Sequence, residues 1–170
     1  MSKPTLYMFI GYPGAGKTTV AKMIAEKTGA VHLWADVERH KMFPKPTHTT
    51  EESRQLYDAL NRAVEYLLSN KRSVIYDTNF NFLADRTKLR KIAKDHKAEP
   101  VIIWVATPLL TAKERAVSGQ EVRNGYEVLM TPAEFDAIAV KMQKPSDHEK
   151  VIKLDGTKID PTELYDLLSI

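Results

Sequence analysis

The chain contains no cysteine among its 170 residues, which excludes disulfides, thiolate zinc sites and cysteine nucleophiles. It also lacks any long apolar run near its start. The stretch over residues 6–10, LYMFI, is far too short for a secretory signal core or a membrane span, so a cytoplasmic protein is expected. Neither charge sign dominates: 25 Lys and Arg stand against 22 Asp and Glu, for a net charge of +3 and a pI near 9.0. That mild excess permits an anionic partner without requiring one. Internal repeats and low-complexity tracts are absent. With 7 glycines and 9 prolines, 43% hydrophobic and 28% charged residues, composition excludes collagen-like and disordered classes and fits one globular domain over residues 1–170.

What is present alternates between two periodicities. TLYMFI, VHLWA, SVIYD, PVIIWVA and VIKLDG read as strands, each a short apolar run bounded by polar or turn residues. Between them lie helical patterns. Val20 and Ile24 mark the inner stripe of a helix ending at Gly29, and a short segment follows the second strand. Over residues 51–70 the apolar positions Leu56, Leu60, Val64 and Leu67 recur at helical spacing behind a capping box of Thr49 and Glu52. Residues 85–96 form a basic helix. Thr131, Pro132 and Glu134 open a further helix, and DPTELYDLLSI repeats that grammar at the end of the chain. Strands that are apolar throughout, alternating with helices, predict an α/β fold of three layers: a five-stranded parallel sheet flanked by helices.

Between the first strand and its helix lies GYPGAGKTT. Gly11, Gly16, Lys17 and Thr18 fit G-x-x-x-x-G-K-[ST], in the strand-then-helix context that the motif requires. Glycines let successive backbone N–H groups converge on phosphate oxygens, and the helix N-terminus adds partial positive charge. Gly11, Gly14, Ala15, Gly16, Lys17, Thr18 and Thr19 are the candidate nucleotide-binding residues. Lys17 would neutralise the β- and γ-phosphates, and the Thr18 hydroxyl would face Mg²⁺. A nucleoside triphosphate with Mg²⁺ is therefore the expected cofactor set.

A phosphate loop alone does not separate transfer from hydrolysis. No N-K-x-D loop that would read guanine is present, and a motor ATPase needs a larger domain, so a small transferase is favoured. A transferase needs an acceptor base, a metal ligand and mobile cations. At the end of the second strand, Asp36 and Arg39 are three residues apart and share a face of a helix. Asp36 is placed as general base and Arg39 as a clamp on an anionic group of the acceptor, against the alternative of a helix cap and a solvated cation. Asp77 ends the third strand where a carboxylate would hold Mg²⁺, and Thr78, Asn79 and Asn81 add polar groups or shape a turn. A lid over about residues 115–131 would supply Arg115 and Arg123, with Gly119 and Gly125 letting it close.

These residues together resemble the polynucleotide kinase-like and zeta-toxin-like branch of the P-loop kinases. The likeness rests on GYPGAGKTT, on the D-x-x-R of Asp36 and Arg39, on DTNFN at residues 77–81 and on the arginine-bearing lid from Arg115. It implies a P-loop NTPase fold with a helical lid. It also implies ATP-dependent transfer to a hydroxyl, with Asp36 activating a 5′-hydroxyl of RNA or DNA and Arg39 holding the phosphate on its 3′ side. One departure is that Gly119 stands four residues after Arg115, where the family tends to carry a second lid arginine; Arg123 is the substitute. The helix after DTNFN, with Arg86, Lys88, Arg90, Lys91, Lys94 and Lys97, is expected either to track a nucleic-acid backbone beside the acceptor crevice or to be a solvated face. A small-molecule kinase and a nucleotide-binding regulator with little turnover are the alternatives; the regulator would need Lys17 but not Asp36.

Overall fold

The computed structural model describes residues 3–118, 122–123, 126–127 and 130–170, with the backbone alone described at 122–123 and 126–127. Five strands, β1 (Thr5–Ile10), β2 (Val31–Trp34), β3 (Val74–Asp77), β4 (Glu99–Val105) and β7 (Val151–Leu154), form one sheet in the order β2-β3-β1-β4-β7. Every pairing in it is parallel. The helices are α1 (Lys17–Thr28), α2 (Ala35–Met42), α3 (Thr50–Ser69), α4 (Leu83–Asp95), α5 (Leu109–Ser118), α6 (Pro132–Ala139) and α7 (Pro161–Leu168). Between α5 and α6, strands β5 (Val122–Arg123) and β6 (Tyr126–Glu127) pair antiparallel.

The period of two along β1 decides which helices cover which face. Leu6, Met8 and Ile10 point to one side, into a cluster with Leu56, Leu60, Val64 and Leu68 of α3 and Leu89 and Ala93 of α4. Tyr7 and Phe9 point to the other, with Val20, Ala21 and Ile24 of α1 and Leu164 of α7. Both faces of β1 are thus buried, which is why this strand carries no charged side chain from Leu6 to Ile10. Leu56, Val64 and Leu68 are each completely buried, worth about 1.5–3 kcal/mol apiece, so α3 is held by its stripe more than by helix propensity.

Caps behave as the sequence indicates at two of three places. Thr131 and Glu134 make a reciprocal capping box, and Asp160 accepts from the N–H of Glu163 ahead of Pro161. At α3 only half of the box forms. Thr49 accepts from the N–H of Glu52, but the Glu52 carboxylate reaches outward to Thr47 and Arg39. The second helix also begins at once after β2, with no intervening loop, so Asp36 lies in its first turn.

Because the sheet is wholly parallel, all five strands deliver their following segments to one edge. Residues 11–16, 35–36, 78–82, 106–108 and 155–160 meet there. Among the described residues no helix is long and apolar enough to cross a membrane.

Candidate active site

The phosphate loop is a rigid cradle because two distant side chains hold it. On one flank the buried carboxamide of Asn81 grips Gly11 twice: the Gly11 N–H donates to Oδ1 at 3.1 Å and Nδ2 donates to the Gly11 carbonyl at 3.2 Å. On the other, the Thr107 hydroxyl donates to the Ala15 carbonyl at 2.8 Å. The Ala15 N–H closes the loop's own turn onto the Tyr12 carbonyl. The glycines follow from this geometry. Gly14 and Gly16 adopt φ of 77° and 106°, a region that side chains resist. At Gly14 a Cβ would also meet the Ala112 carbonyl of α5 at 2.4 Å.

Helix α1 has no side-chain cap at its N-terminus, the arrangement that leaves first-turn N–H groups to a ligand's oxygens. Lys17 donates to the carbonyls of Gly11 at 3.0 Å and Tyr12 at 2.6 Å, on the rim of the cradle. Thr18 is half-buried and Thr19 is exposed. The cradle suits a polyphosphate: converging backbone donors, an uncapped helix terminus and an ammonium at its rim.

Asp77 is buried on the α1 side of β3, the side to which Ile75 also points by strand alternation. Its Oδ2 lies 3.0 Å from Nε2 of His32 on β2. That imidazole stacks on Trp34 at 5.8 Å, and the Lys22 ammonium caps the same indole at 4.9 Å. A hydroxyl at Thr18 and a carboxylate at Asp77 are hard oxygen donors that fit Mg²⁺, which takes one or two protein ligands and completes its shell with phosphate and water.

Asp36 is exposed at the sheet edge, and its carboxylate has no partner among the described residues. Its charge complements the N-terminal end of α2, and its carbonyl is bonded to Nδ1 of His40 at 2.8 Å. Three residues on, Arg39 does not reach into the crevice as the clamp expectation requires. Its guanidinium is buried, bonded to Glu52 at 2.5 Å and to the Ser53 hydroxyl at 3.2 Å. Glu52 is in turn held by the N–H groups of Thr47 and His48. The Thr47 N–H first, and Arg39 with it, bring the Glu52 carboxyl down to about 2. Beside this pair, Tyr57 of α3 shares a 2.9 Å hydrogen bond with Thr78 after β3.

Arg115 is exposed on α5, the helix that lies against Gly14, and donates to the Gly156 carbonyl at 2.9 Å. Gly156 itself closes on the cradle: a Cβ there would fall 2.6 Å from the Ala15 carbonyl and into the Thr107 hydroxyl. The side chain of Arg123, and most of the span read as a lid with Gly119 and Gly125, lie outside the described residues. Tyr12, in the variable part of the loop, packs against the buried Phe135 of α6 with ring centroids 6.1 Å apart.

The basic helix expected beside the crevice is different in the structure. Arg86 is completely buried, with Nε and one terminal nitrogen on the Glu149 carboxylate at 2.8 Å each and the other terminal nitrogen donating to the Phe80 carbonyl at 2.8 Å. Lys91 is paired with Asp95. Asn81, Thr107, Gly156 and Glu149 are the supporting residues that sequence reasoning missed or left as turn formers.

A parallel sheet in this order, with a phosphate loop after its central strand and a carboxylate after the neighbouring one, defines a P-loop kinase fold. The chain belongs to the AAA domain family, whose model matches residues 6–145. It is 33% identical over 115 residues to a shikimate kinase of Persephonella marina, covering 66% of this chain and 67% of that protein. It is 30% identical over 138 residues to an L-seryl-tRNA(Sec) kinase of Methanococcus maripaludis, covering 75% of this chain and 53% of that relative, so it spans about half of the relative's length. The APS kinase of Mycobacterium tuberculosis superposes with a TM-score of 0.69 over the full length of both chains at 17% identity, a likeness of fold.

Proposed function

We propose that this chain transfers the γ-phosphate of ATP to a hydroxyl acceptor, with Asp36 as the general base and the acceptor hydroxyl borne on a polynucleotide or a nucleotide-like molecule. The observation that carries the reading is the unpartnered carboxylate of Asp36 at the same sheet edge as the phosphate loop. Asp36 takes the proton of the acceptor hydroxyl as its oxygen attacks the γ-phosphorus, and the bond from that phosphorus to the β–γ bridging oxygen breaks. Lys17 swings from the carbonyls of Gly11 and Tyr12 to the phosphate oxygens, and Arg115, beside the loop, adds a cation as charge develops on them. Mg²⁺ held at Thr18 and Asp77 would supply neutralisation of the β- and γ-phosphate oxygens. A tRNA-borne acceptor in the name of one relative, together with the net charge of +3, supports an acceptor attached to nucleic acid.

A second reading, a small-molecule kinase, is favoured by the state of Arg39. Taken up by Glu52 and Ser53, it leaves no described arginine of α2 for an acceptor's phosphate, and a relative named for shikimate phosphorylation fits that reading. The experiment is a panel of 5′-hydroxyl RNA and DNA oligomers, nucleosides and small polyols offered with γ-labelled ATP and Mg²⁺. Label is expected on the oligomers; label on polyols alone selects the second reading, and label nowhere refutes both. Asp36→Asn should lower transfer by about 10²–10⁴-fold with ATP affinity retained. Transfer at near-normal rate would show that the base lies elsewhere.

A further inference from the structure

One cavity bordered by described residues lies away from the active-site edge. A groove of about 570 Å³ lies at the opposite end of the sheet, under the last turns of α4 and beside the start of β4, with Ala98, Pro100 and Ile102 among its lining. Six cationic or titratable side chains converge there from four parts of the chain: Lys3, Arg90, Lys94, Lys97, His148 and Lys150. Among the described residues Glu99 is the one acidic residue that lines it, and Lys3 already occupies it at 3.0 Å. Arg90 leans on Glu149 at 3.3 Å, whose carboxylate is spent on Arg86. Lys94, Lys97 and Lys150 have no side-chain partner among the described residues. Like charges gathered around one concavity repel one another and focus a positive potential into it.

We infer that this groove binds the phosphate backbone of a nucleic-acid strand, as a second contact remote from the transferring phosphate. Three features select that occupant. The volume exceeds what one phosphate fills. The cations come from separate stretches of chain, residue 3, residues 90–97 and residue 150, and so offer several positive groups to a chain of charges. Among the described residues the lining has no Phe, Tyr or Trp ring to stack on a base and no side-chain amide to read one, so recognition is of the backbone and independent of sequence.

The placement sets a length rule. Glu99 pairs with Thr5 at the start of β1, whereas the phosphate loop leaves from Ile10 at its end. At about 3.3 Å per strand residue the two sites are some 17 Å apart, so a stacked strand that rises about 3.4 Å along its axis per nucleotide must extend roughly five nucleotides from its 5′ end to reach the groove. This length rule rests on the polynucleotide reading above; the groove's affinity for a backbone does not.

The test uses the full chain and the variant Lys94→Gln/Lys97→Gln/Lys150→Gln, whose exposed positions lie outside the catalytic machinery. Fluorescence anisotropy is read with a labelled RNA of about 20 nucleotides that already bears a 5′-phosphate, between about 50 and 200 mM salt. The variant should bind at least about tenfold more weakly, and its log–log salt slope should be shallower by about 2, at about 0.7 per lost single-strand contact. ATP affinity and melting temperature should be unchanged. Should the triple variant not fold, Lys97→Gln and Lys150→Gln singly should each lose about 0.7 of slope. Equal affinity and slope in wild type and variants overturns the groove, as does the absence of RNA binding by the wild-type chain. RNA held through these lysines but never phosphorylated upholds the groove and refutes the polynucleotide acceptor. RNA phosphorylated at a rate indifferent to the lysines and to strand length upholds the acceptor and refutes the groove.

Discussion

Asn81 holds Gly11 by both ends of its carboxamide, at 3.1 and 3.2 Å, across 70 residues of chain. The Asn81 carbonyl accepts in turn from the N–H of Gln143, whose side chain accepts from the N–H of Leu83. The start of the phosphate loop is therefore tied through one buried amide to the segment that follows α6. Asn81→Leu leaves the buried N–H of Gly11 unpaired and strips its carbonyl of one of two donors, Lys17 remaining, at a cost of about 1–3 kcal/mol. A lower denaturation midpoint with weaker MgATP binding is expected. Asn81→Asp keeps the acceptor but turns a carboxylate oxygen towards the Gly11 carbonyl, so its loss should shrink in acid, where the protonated group can donate. Undiminished ATP affinity in Asn81→Leu would show that the loop holds its shape unaided.

Gly156 and Thr107 form the opposite flank. A methyl at 156 would occupy the space of the Thr107 hydroxyl and crowd the Ala15 carbonyl, so Gly156→Ala must push one of them away. Displacement of a phosphate site by about 1 Å can cost about 10²-fold in rate, and kcat/KM for ATP should fall on that scale. Thr107→Val removes the same hydrogen bond without the added volume and should produce the smaller effect of the two. The reverse order would mean that the hydroxyl, not the close approach, shapes the loop.

These two flanks mark what the sequence could disclose. The loop, the strands and the caps at Thr131 and Asp160 were legible because each depends on neighbours within a few positions. Asn81 was visible only as a polar residue in a turn, and Thr107 and Gly156 carried no signal, because their partners lie tens of residues away. Arg86 is instructive in another way. Arg86, Leu89 and Ala93 stand at intervals of three and four and so form the buried stripe of α4; the period was present, but Arg86 was counted with the exposed cations for its charge. The capping box expected of Thr49 and Glu52 forms only by half for a related reason: Arg39, a cation on α2, competes for the Glu52 carboxylate.

The Arg86–Glu149 pair yields a stability prediction. Arg86 has no exposed surface, and its bidentate contact first, with the Ser146 N–H assisting, holds the Glu149 carboxyl below the usual carboxylate range. Arg86→Met leaves the Glu149 carboxylate with only Arg90, at 3.3 Å, for a cation, and breaking a buried pair costs about 3–5 kcal/mol. Replacing both residues with apolar ones of similar volume should recover much of that loss. Urea denaturation of the two single variants and the double variant measures the coupling. Additive losses would mean that the pair does not act as a unit.

Arg39 bears on stability and on the proposed role of Asp36. Its ion pair with Glu52 fastens α2 to the start of α3, and Asp36 projects from the first turn of α2. Glu52 is lowered from 4.5 to about 2, a carboxyl favoured as the anion in the fold. Its contribution to stability is therefore complete above the ordinary carboxylate value and is lost as pH falls through 4.5 towards about 2. The difference in stability between wild type and Glu52→Gln should be constant above about pH 5 and shrink below it. A difference that stayed constant down to the acid limit would refute the linkage. Arg39→Ala separates the two roles of the arginine. As a positioning residue for Asp36 it should lower kcat for every acceptor, with little change in KM and with partial rescue by Arg39→Lys. As a clamp on an acceptor phosphate it should raise KM for phosphate-bearing acceptors and leave phosphate-free ones untouched. The buried pair with Glu52 predicts the first outcome.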